Sequence, residues 1–168
     1  KESQANKALV DAVSDMEGVA VFNLYELSQE IVFNIDEWSK IISDASAVIY
    51  QFPFYWMSAP SLLKKWQDEV FTFLSKTPAV AGKPLTVVTT TGSEYEAYRS
   101  GGRNRFTMDE LLRPYQVSAI HSGMSWQTPI VVYGMGTADA GKNIAEGANL
   151  YKQRVEMLIG SSNAGNNW

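Results

Sequence analysis

The most informative segment of this chain is Ala47-Val-Ile-Tyr-Gln-Phe-Pro-Phe-Tyr-Trp-Met-Ser-Ala-Pro60. It opens with an apolar run that predicts a buried strand. Three adjacent aromatic residues follow on a loop between two prolines, and a helix begins where the loop ends. Ligands of open α/β sheets bind at the carboxyl ends of the strands. Aromatic rings at that end favour a flat ligand that covers them, although a packed turn or a dimer contact explains them equally well.

Before and after this segment, predicted helices and strands alternate along the chain. Strands are predicted at 19–24, 47–52, 83–89 and 130–133. Helices are predicted at 36–44, 60–74 and 142–159, with further helix starts at Ser3 and at Thr107, where Glu110 completes a capping box. This alternation predicts an α/β fold, a doubly wound parallel sheet with helices on both faces.

The predicted order of elements begins with a helix, whereas a doubly wound domain normally begins with a buried strand. We therefore expect a short apolar strand upstream of Lys1. We also expect a single domain over residues 1–160, followed by a polar C-terminal tail over 161–168.

Composition narrows the possible chemistry. The 168 residues carry a net charge of −4, which argues against a nucleic-acid partner. There is no cysteine and only one histidine, so cysteine-ligated zinc, iron–sulfur clusters, thiolate catalysis and a histidine-rich metal site are excluded. No apolar run reaches the roughly 20 residues of a membrane span, and no signal peptide is visible, so a cytoplasmic protein is predicted.

Three loops are predicted to follow strands and to lie at one edge of the sheet. The loop at 3–6 begins a helix whose N–H groups suit a phosphate, although an ordinary capped helix is the commoner explanation. The loop at 53–60 offers aromatic walls for a planar ring. The loop at 89–93, Thr-Thr-Thr-Gly-Ser, allows close backbone approach, as many strand–turn junctions do.

Three other features are weaker signals. The segment 136–143 nearly matches a phosphate loop, but Asn143 replaces the hydroxyl that would hold magnesium and Asp139 would repel phosphates, so nucleotide hydrolysis is not predicted. His121 is more typical of a helix C-terminal cap than of a catalyst. Arg103 and Arg105 favour a solvated loop, with a grip on a dinucleotide phosphate as the alternative.

The three loops also form an ordered set of motifs. They are Ser3-Gln-Ala-Asn6, the stretch 51–60 followed by Leu62-Leu-Lys-Lys-Trp66, and Thr90-Thr-Gly92 with Tyr98. In order and spacing this set resembles the flavodoxin-like NAD(P)H:quinone oxidoreductases, the DT-diaphorase family. The segments 104–114 and 151–154 resemble its bacterial branch, which includes the ancillary flavoproteins of glutathione-gated potassium efflux systems.

The resemblance implies a homodimer that binds FMN at the subunit interface. It implies ping-pong transfer of a hydride from NAD(P)H through FMN to a quinone, a nitroaromatic or a similar two-electron acceptor. It assigns the flavin phosphate and ribityl chain to Ser3, Gln4, Ala5 and Asn6, the ring to Pro53, Phe54, Tyr55, Trp56 and Met57, and the pyrimidine end to Thr90, Thr91, Gly92 and Ser93. Tyr98 matches the family's tyrosine near that end and is the predicted catalytic residue.

The chain departs from the family pattern in three places. The first strand and the family histidine that precedes the phosphate-binding loop are absent. The aromatic segment expected after Trp66 is replaced by a shorter one at 71–82. The histidine that follows the tyrosine in the animal enzymes is also missing, and arginines occupy the corresponding segment, so no tyrosine–histidine proton relay is expected.

Two other functions remain open at the level of the sequence. The flavoprotein fold is also compatible with a regulatory subunit that docks on a potassium efflux transporter, with secondary turnover. A one-electron carrier of the flavodoxin type is a third hypothesis, which the modest acidity and the bulky aromatic loop disfavour.

Overall fold

A computed structural model of the chain describes residues 3–26 and 32–164, with side chains up to residue 161. Within that part of the chain the sheet is entirely parallel and is built around one central strand. Its strands are β1 (Val48–Pro53), β2 (Pro84–Thr90), β3 (Ser125–Trp126) and β4 (Ile130–Val132). β1 pairs with one edge of β2. β3 and β4 pair with the other edge, β3 near the start of β2 and β4 near its carboxyl end.

The helices flank this sheet and begin mostly where the sequence predicts. They are α1 (Gln4–Asp11), α2 (Ile35–Asp44), α3 (Ser61–Trp66), α4 (Thr72–Leu74), α5 (Met108–Leu111), α6 (Arg113–His121) and α7 (Ala140–Ala164). The Ser3 hydroxyl accepts from the Asn6 N–H, and the capping box of Thr107 and Glu110 is present. Hydrogen bonding also holds the pKa of the Glu110 carboxyl below its usual value, since Thr107 donates to it through its backbone N–H and its hydroxyl.

Two apolar clusters cover opposite faces of the sheet. α1 and α7 pack on one face around Leu9, Val88 and Tyr151. α2, α3 and α6 pack on the other around an aromatic group that includes Trp38 and Trp66, whose rings meet edge-on at 5.2 Å. Neighbouring residues of β2 point to opposite faces, so this strand contributes to both clusters. The predicted α/β architecture with helices on both faces is confirmed.

The strand predicted at 19–24 is wrong. Residues 19–23 have no ladder partner in the described part of the chain, and 24–26 form a turn. Their alternating apolar pattern suits a strand, but a strand also needs a neighbour to hydrogen-bond. Val21 and Phe22 are 46% and 41% exposed, and Phe22 instead packs edge-on against Trp38.

Three predicted helices have different limits. The helix predicted at 60–74 contains a π-helical turn, Gln67–Phe71, between α3 and α4. The helix starting at Thr107 is divided at Leu112, and Pro114 lies in the first turn of α6. α7 begins two residues earlier than predicted and continues to Ala164, so the first residues of the predicted polar tail are helical.

Gly147 lies where α7 packs on β4, and an added Cβ would come within 2.4 Å of Val132 Cγ2. We expect Gly147→Ala to lower the free energy of unfolding by about 1–3 kcal/mol, because overpacking against a stiff valine outweighs alanine's better helix propensity. Urea denaturation measures the loss. Gly160→Ala, on the same helix with nothing within 4 Å of the new methyl group, is the control and should be neutral or stabilising. Equal stability of the two variants would contradict this packing.

Candidate functional site

The start of α1 is fixed to the carboxyl ends of β1 and β2 by Asn6. Its Nδ2 donates to Thr90 Oγ1 at 2.8 Å, and its backbone carbonyl accepts from Gln51 Nε2 at 2.9 Å. These bonds link residues separated by 84 and 45 positions in the sequence. The structure therefore brings the first predicted loop to the end of the strand that carries the third.

The first turn of α1 presents unused hydrogen-bonding groups. The N–H groups of Gln4 and Ala5 precede the first intrahelical bond and have no acceptor among the described residues. Asn6 Oδ1 is a buried acceptor with no donor in the same part of the chain. Buried polar atoms are nearly always paired, so this atom is a candidate acceptor for a bound group. Gln4 is exposed and Ala5 is buried beneath it.

The aromatic loop after β1 is a tight turn with a strained backbone. Tyr55 and Ser58 exchange two backbone hydrogen bonds, of 2.9 and 3.0 Å, which leaves Trp56 and Met57 at the corners. Both corner residues are left-handed, with φ of 46° and 62°. Glycine and asparagine are the usual residues of such a turn, and a bulky residue there costs about 1–2 kcal/mol. Backbone strain of this kind is concentrated at functional sites.

Contacts on the buried side support the turn, and the side chain at its corner is exposed. The Tyr115 hydroxyl accepts from the Ala59 N–H at 3.0 Å, and the buried Phe54 packs edge-on against Tyr98 at 6.2 Å. Trp56 is 97% exposed. Pro53 is half-buried at the end of β1, and Tyr55 and Met57 are about half exposed. The loop thus offers a rigidly supported apolar wall that nothing in the described chain covers.

The loop after β2 offers backbone donors. Thr90 and Thr91 are buried, and Thr91 Oγ1 donates to the carbonyl of Ser93 at 2.8 Å, which tightens the loop. The N–H groups of Gly92 and Ser93 have no acceptor among the residues that the structure describes. A Cβ added to Gly92 would meet nothing within 4 Å, so a ligand can approach this backbone closely.

A further loop, residues 134–136, supports the loop after β2 through hydrogen bonds that the sequence did not predict. We call this set of hydrogen bonds the brace. The N–H groups of Gly134, Met135 and Gly136 donate to the carbonyls of Ser93, Thr91 and Gly92 at 2.8, 2.9 and 2.9 Å. These bonds extend β4 beyond its last assigned residue and occupy the carbonyls of residues 91–93. The sequence signal of this loop is two glycines after a strand, which is too common to be informative alone.

The segment that resembles a phosphate loop uses its polar groups internally. Asn143 Nδ2 donates to the carbonyl of Tyr133 at 2.9 Å, and Thr137 Oγ1 donates to that of Gly134. Lys142 pairs with Glu146 at 3.8 Å. These contacts engage polar groups that a phosphate loop would present to a nucleotide.

Tyr98, the predicted catalytic residue, lies behind the aromatic loop. It ends a short 3-10 turn, Tyr95–Tyr98, and is 6% exposed between Phe54 and Tyr133. Burial, with a smaller contribution from Tyr95, raises the pKa of its neighbour Tyr133 to about 12. The structure therefore joins Tyr98 to the loop through Phe54.

Arg103 reaches the loop after β2, which the sequence did not reveal. Its Nη2 donates to Ser93 Oγ at 2.7 Å and lies 3.7 Å from the Glu94 carboxylate. His121 is the last residue of α6 and is exposed, in the last turn of the helix before the C-cap Ser122.

Comparison with protein families and curated proteins finds relatives of this chain. The model of a family described as having the flavodoxin-like fold matches residues 1–155. General stress protein 14 of Bacillus subtilis is 34% identical over 159 residues, which cover 92% of this chain and 90% of that protein. The glutathione-regulated potassium-efflux system ancillary protein KefG of Pectobacterium atrosepticum is 34% identical over 137 residues, 79% of this chain and 75% of that protein.

Solved structures agree with these matches. General stress protein 14 from Treponema denticola, in complex with FMN, superimposes with a TM-score of 0.84 at 26% identity and covers 93% of this chain and 91% of its own. An NADPH-quinone reductase from P. pentosaceus gives a TM-score of 0.76 at 26% identity, with coverage of 89% and 90%. In the described part of this chain, no helix has the length and apolarity that crossing a membrane requires.

The hydrogen bonds between residues 134–136 and residues 91–93 lead to a prediction that depends only on geometry. An added Cβ at Gly136 would lie 3.0 Å from the Gly92 carbonyl oxygen. We expect Gly136→Ala to push the two loops apart and to lower the free energy of unfolding by about 1–3 kcal/mol in urea denaturation. Gly141→Ala, in open space at the start of α7, is the matched control. If both variants unfold at the same urea concentration, the brace does not constrain the loop.

Proposed function

Since this chain belongs to the flavodoxin-like quinone reductase family, we propose that it is an FMN-dependent NAD(P)H oxidoreductase. It would pass a hydride from NAD(P)H through FMN to a quinone or another two-electron acceptor such as a nitroaromatic, in ping-pong fashion. The observation that carries the proposal is the meeting of three loops, from α1, β1 and β2, at one edge of the sheet. Each loop presents groups that have no use within the described chain.

The phosphate and ribityl chain of FMN fit the start of α1. A helix N-terminus attracts anions through its free N–H groups and its dipole, and Gln4 and Ala5 supply those groups here. The Ser3 hydroxyl lies at the same end. The unpaired Asn6 Oδ1 is an acceptor for a hydroxyl of the ribityl chain.

The isoalloxazine ring fits the aromatic loop. The ring is planar and largely apolar, and the exposed Trp56 with Tyr55 and Met57 would cover one side of it. Pro53 and the buried Phe54 support that wall. The strained turn is then understandable, because it holds a large aromatic ring where a glycine would otherwise be expected.

The pyrimidine end of the flavin fits the loop after β2. FMN supplies the hydride chemistry, and the protein's task is to bind it and to stabilise charge. The free N–H groups of Gly92 and Ser93 are fixed donors for negative charge that develops at this end, and buried Thr90 and Thr91 hold them in place. Tyr98 is the proposed catalytic hydroxyl donor because it matches the family's tyrosine, and here its ring packs against Phe54 of the ring-binding loop.

A homodimer is part of the proposal. The described loops cover one side of a flat ligand, and Trp56 remains almost fully exposed. A second copy of the chain would complete the pocket on the other side and exclude water from the hydride path. We propose that residues 1–160 form a single FMN-binding domain. We also propose that the protein is cytoplasmic.

A regulatory role is the second candidate, and the relatives named KefG favour it. Those proteins are described as ancillary to a potassium-efflux system. We propose, as the alternative, that this chain docks on a membrane transporter and that turnover is secondary. Co-purification with membranes that survives Trp56→Ala but is lost on changing surface residues far from the loops would favour this role.

Flavin binding and reduction test the first candidate. Protein purified and reconstituted with FMN should absorb near roughly 450 nm, as oxidised flavins do, and should bleach on anaerobic addition of NADH or NADPH. A quinone added afterwards should restore the absorbance. A protein that FMN cannot reconstitute would refute the proposal. Reduction by dithionite but not by either nucleotide would favour a one-electron carrier of the flavodoxin type.

Trp56→Ala tests the aromatic wall. Stacking on an aromatic ring contributes about 1–3 kcal/mol, so the Kd for FMN should rise roughly tenfold to a hundredfold in a fluorescence titration. The free energy of unfolding without FMN should change by no more than about 0.5 kcal/mol, because the side chain is 97% exposed. Phe73→Ala, an exposed aromatic residue of α4, is the control. Unchanged FMN affinity with a lower Tm would show that the loop serves packing instead.

A further inference from the structure

The loop between the 3-10 turn and α5 has a fixed backbone. The N–H of Gly102 donates to the carbonyl of Arg99 at 2.8 Å, and that of Asn104 donates to the carbonyl of Ala97 at 3.0 Å. A Cβ at Gly102 would lie 2.3 Å from the Glu96 carbonyl oxygen, so this position admits only glycine. Arg103 follows directly, and its Cα is therefore held in one place.

The Arg103 side chain extends from this fixed point to the loop after β2. Its Nη2 donates to Ser93 Oγ at 2.7 Å. A guanidinium carries five N–H donors and a permanent charge, and most of these donors have no acceptor in the described chain. The Glu94 carboxylate, 3.7 Å away, is a partial counter-charge on the same loop.

Other basic groups in the described chain have different neighbours. Arg99 stacks over the Tyr95 ring at 5.4 Å, Lys142 pairs with Glu146, and His121 lies at the end of α6. Among the residues that the structure describes, Arg103 is thus the basic side chain that donates a hydrogen bond to the loop after β2. The position is compatible with a charge that acts on whatever this loop binds.

We infer, on the basis of the proposed function, that Arg103 sets the reduction potential of FMN in this protein. Hydride uptake from NAD(P)H adds two electrons and one proton to the flavin, and the excess negative charge lies toward N1 and O2 at the pyrimidine end. A guanidinium bonded to Ser93 stabilises that charge more than it stabilises the neutral oxidised ring. Glu94 acts in the opposite direction. Arg103 is a positioning residue, because it acts through Ser93 and through its field.

Four variants test the inference by the midpoint potential of bound FMN, measured by dithionite titration against a reference dye. Arg103→Gln should bind reduced FMN about tenfold more weakly relative to oxidised FMN, a shift of about 30 mV to more negative potential for a two-electron couple. Glu94→Gln should shift the potential in the positive direction. Arg103→Lys should keep most of the wild-type value, since it keeps the charge. Arg113→Gln, which removes an equal charge from the surface of α6, should leave the potential unchanged.

The outcomes separate this inference from the proposed function. A wild-type protein that binds no FMN refutes the function itself. A wild-type protein that binds FMN, together with an Arg103→Gln variant that matches Arg113→Gln, overturns the role of Arg103. An unchanged potential with a raised KM for NADPH also overturns it, and would mean that Arg103 grips a nucleotide phosphate. The shift should shrink at high salt, because the side chains of Arg103 and Glu94 are 63% and 52% exposed.

Discussion

The parallel register between β1 and β2 is the constraint on which the site depends. Val48 pairs with Leu85 at one end and Pro53 with Thr90 at the other, and the ladder continues when the Phe54 N–H donates to the Thr90 carbonyl. The two strands therefore end at the same level, and their loops leave the sheet side by side. A shift of one residue would turn every side chain of β1 to the opposite face, so the two apolar clusters fix this register firmly.

Several features at the carboxyl ends of β1 and β2 lower the stability of the protein, and no contact within the described chain offsets this cost. Trp56 and Met57 have left-handed backbones, Asn6 Oδ1 is buried without a donor, and the N–H groups of Gly92 and Ser93 donate to nothing. These features lie on the three loops that Asn6 and the β1–β2 ladder hold together, whereas Trp66 Nε1 and Asn104 Nδ2, unpaired among the described residues, and the left-handed Arg105 lie elsewhere. Sequences agree with their structures least at functional sites, where local strain serves the ligand.

The sequence was informative where local chemistry decides the structure. The capping box at Thr107 and the Ser3 cap depend on residues three positions apart, and both are present. The 19–24 segment was mispredicted because a strand depends on a distant partner, and its own pattern contains no information about that partner. The brace by Gly136 and the Ser93 contact of Arg103 depend on tertiary placement for the same reason. The resemblance to a family identified the three loops together, which no single motif did.

The charges around these loops are nearly all independent of pH in the physiological range. The start of α1 and the backbone N–H groups after β2 are fixed dipoles, and Arg103 is a permanent cation. Burial raises the pKa of Tyr133, behind the site, to about 12, further above the physiological range. The one histidine lies away from these loops, at the end of α6. A site of this kind supplies a constant field, so under the proposed function a change in rate near neutral pH would arise in the cofactor, the nucleotide or the acceptor. That arrangement suits a protein whose ligand carries the redox chemistry and whose own residues hold, shield and polarise it.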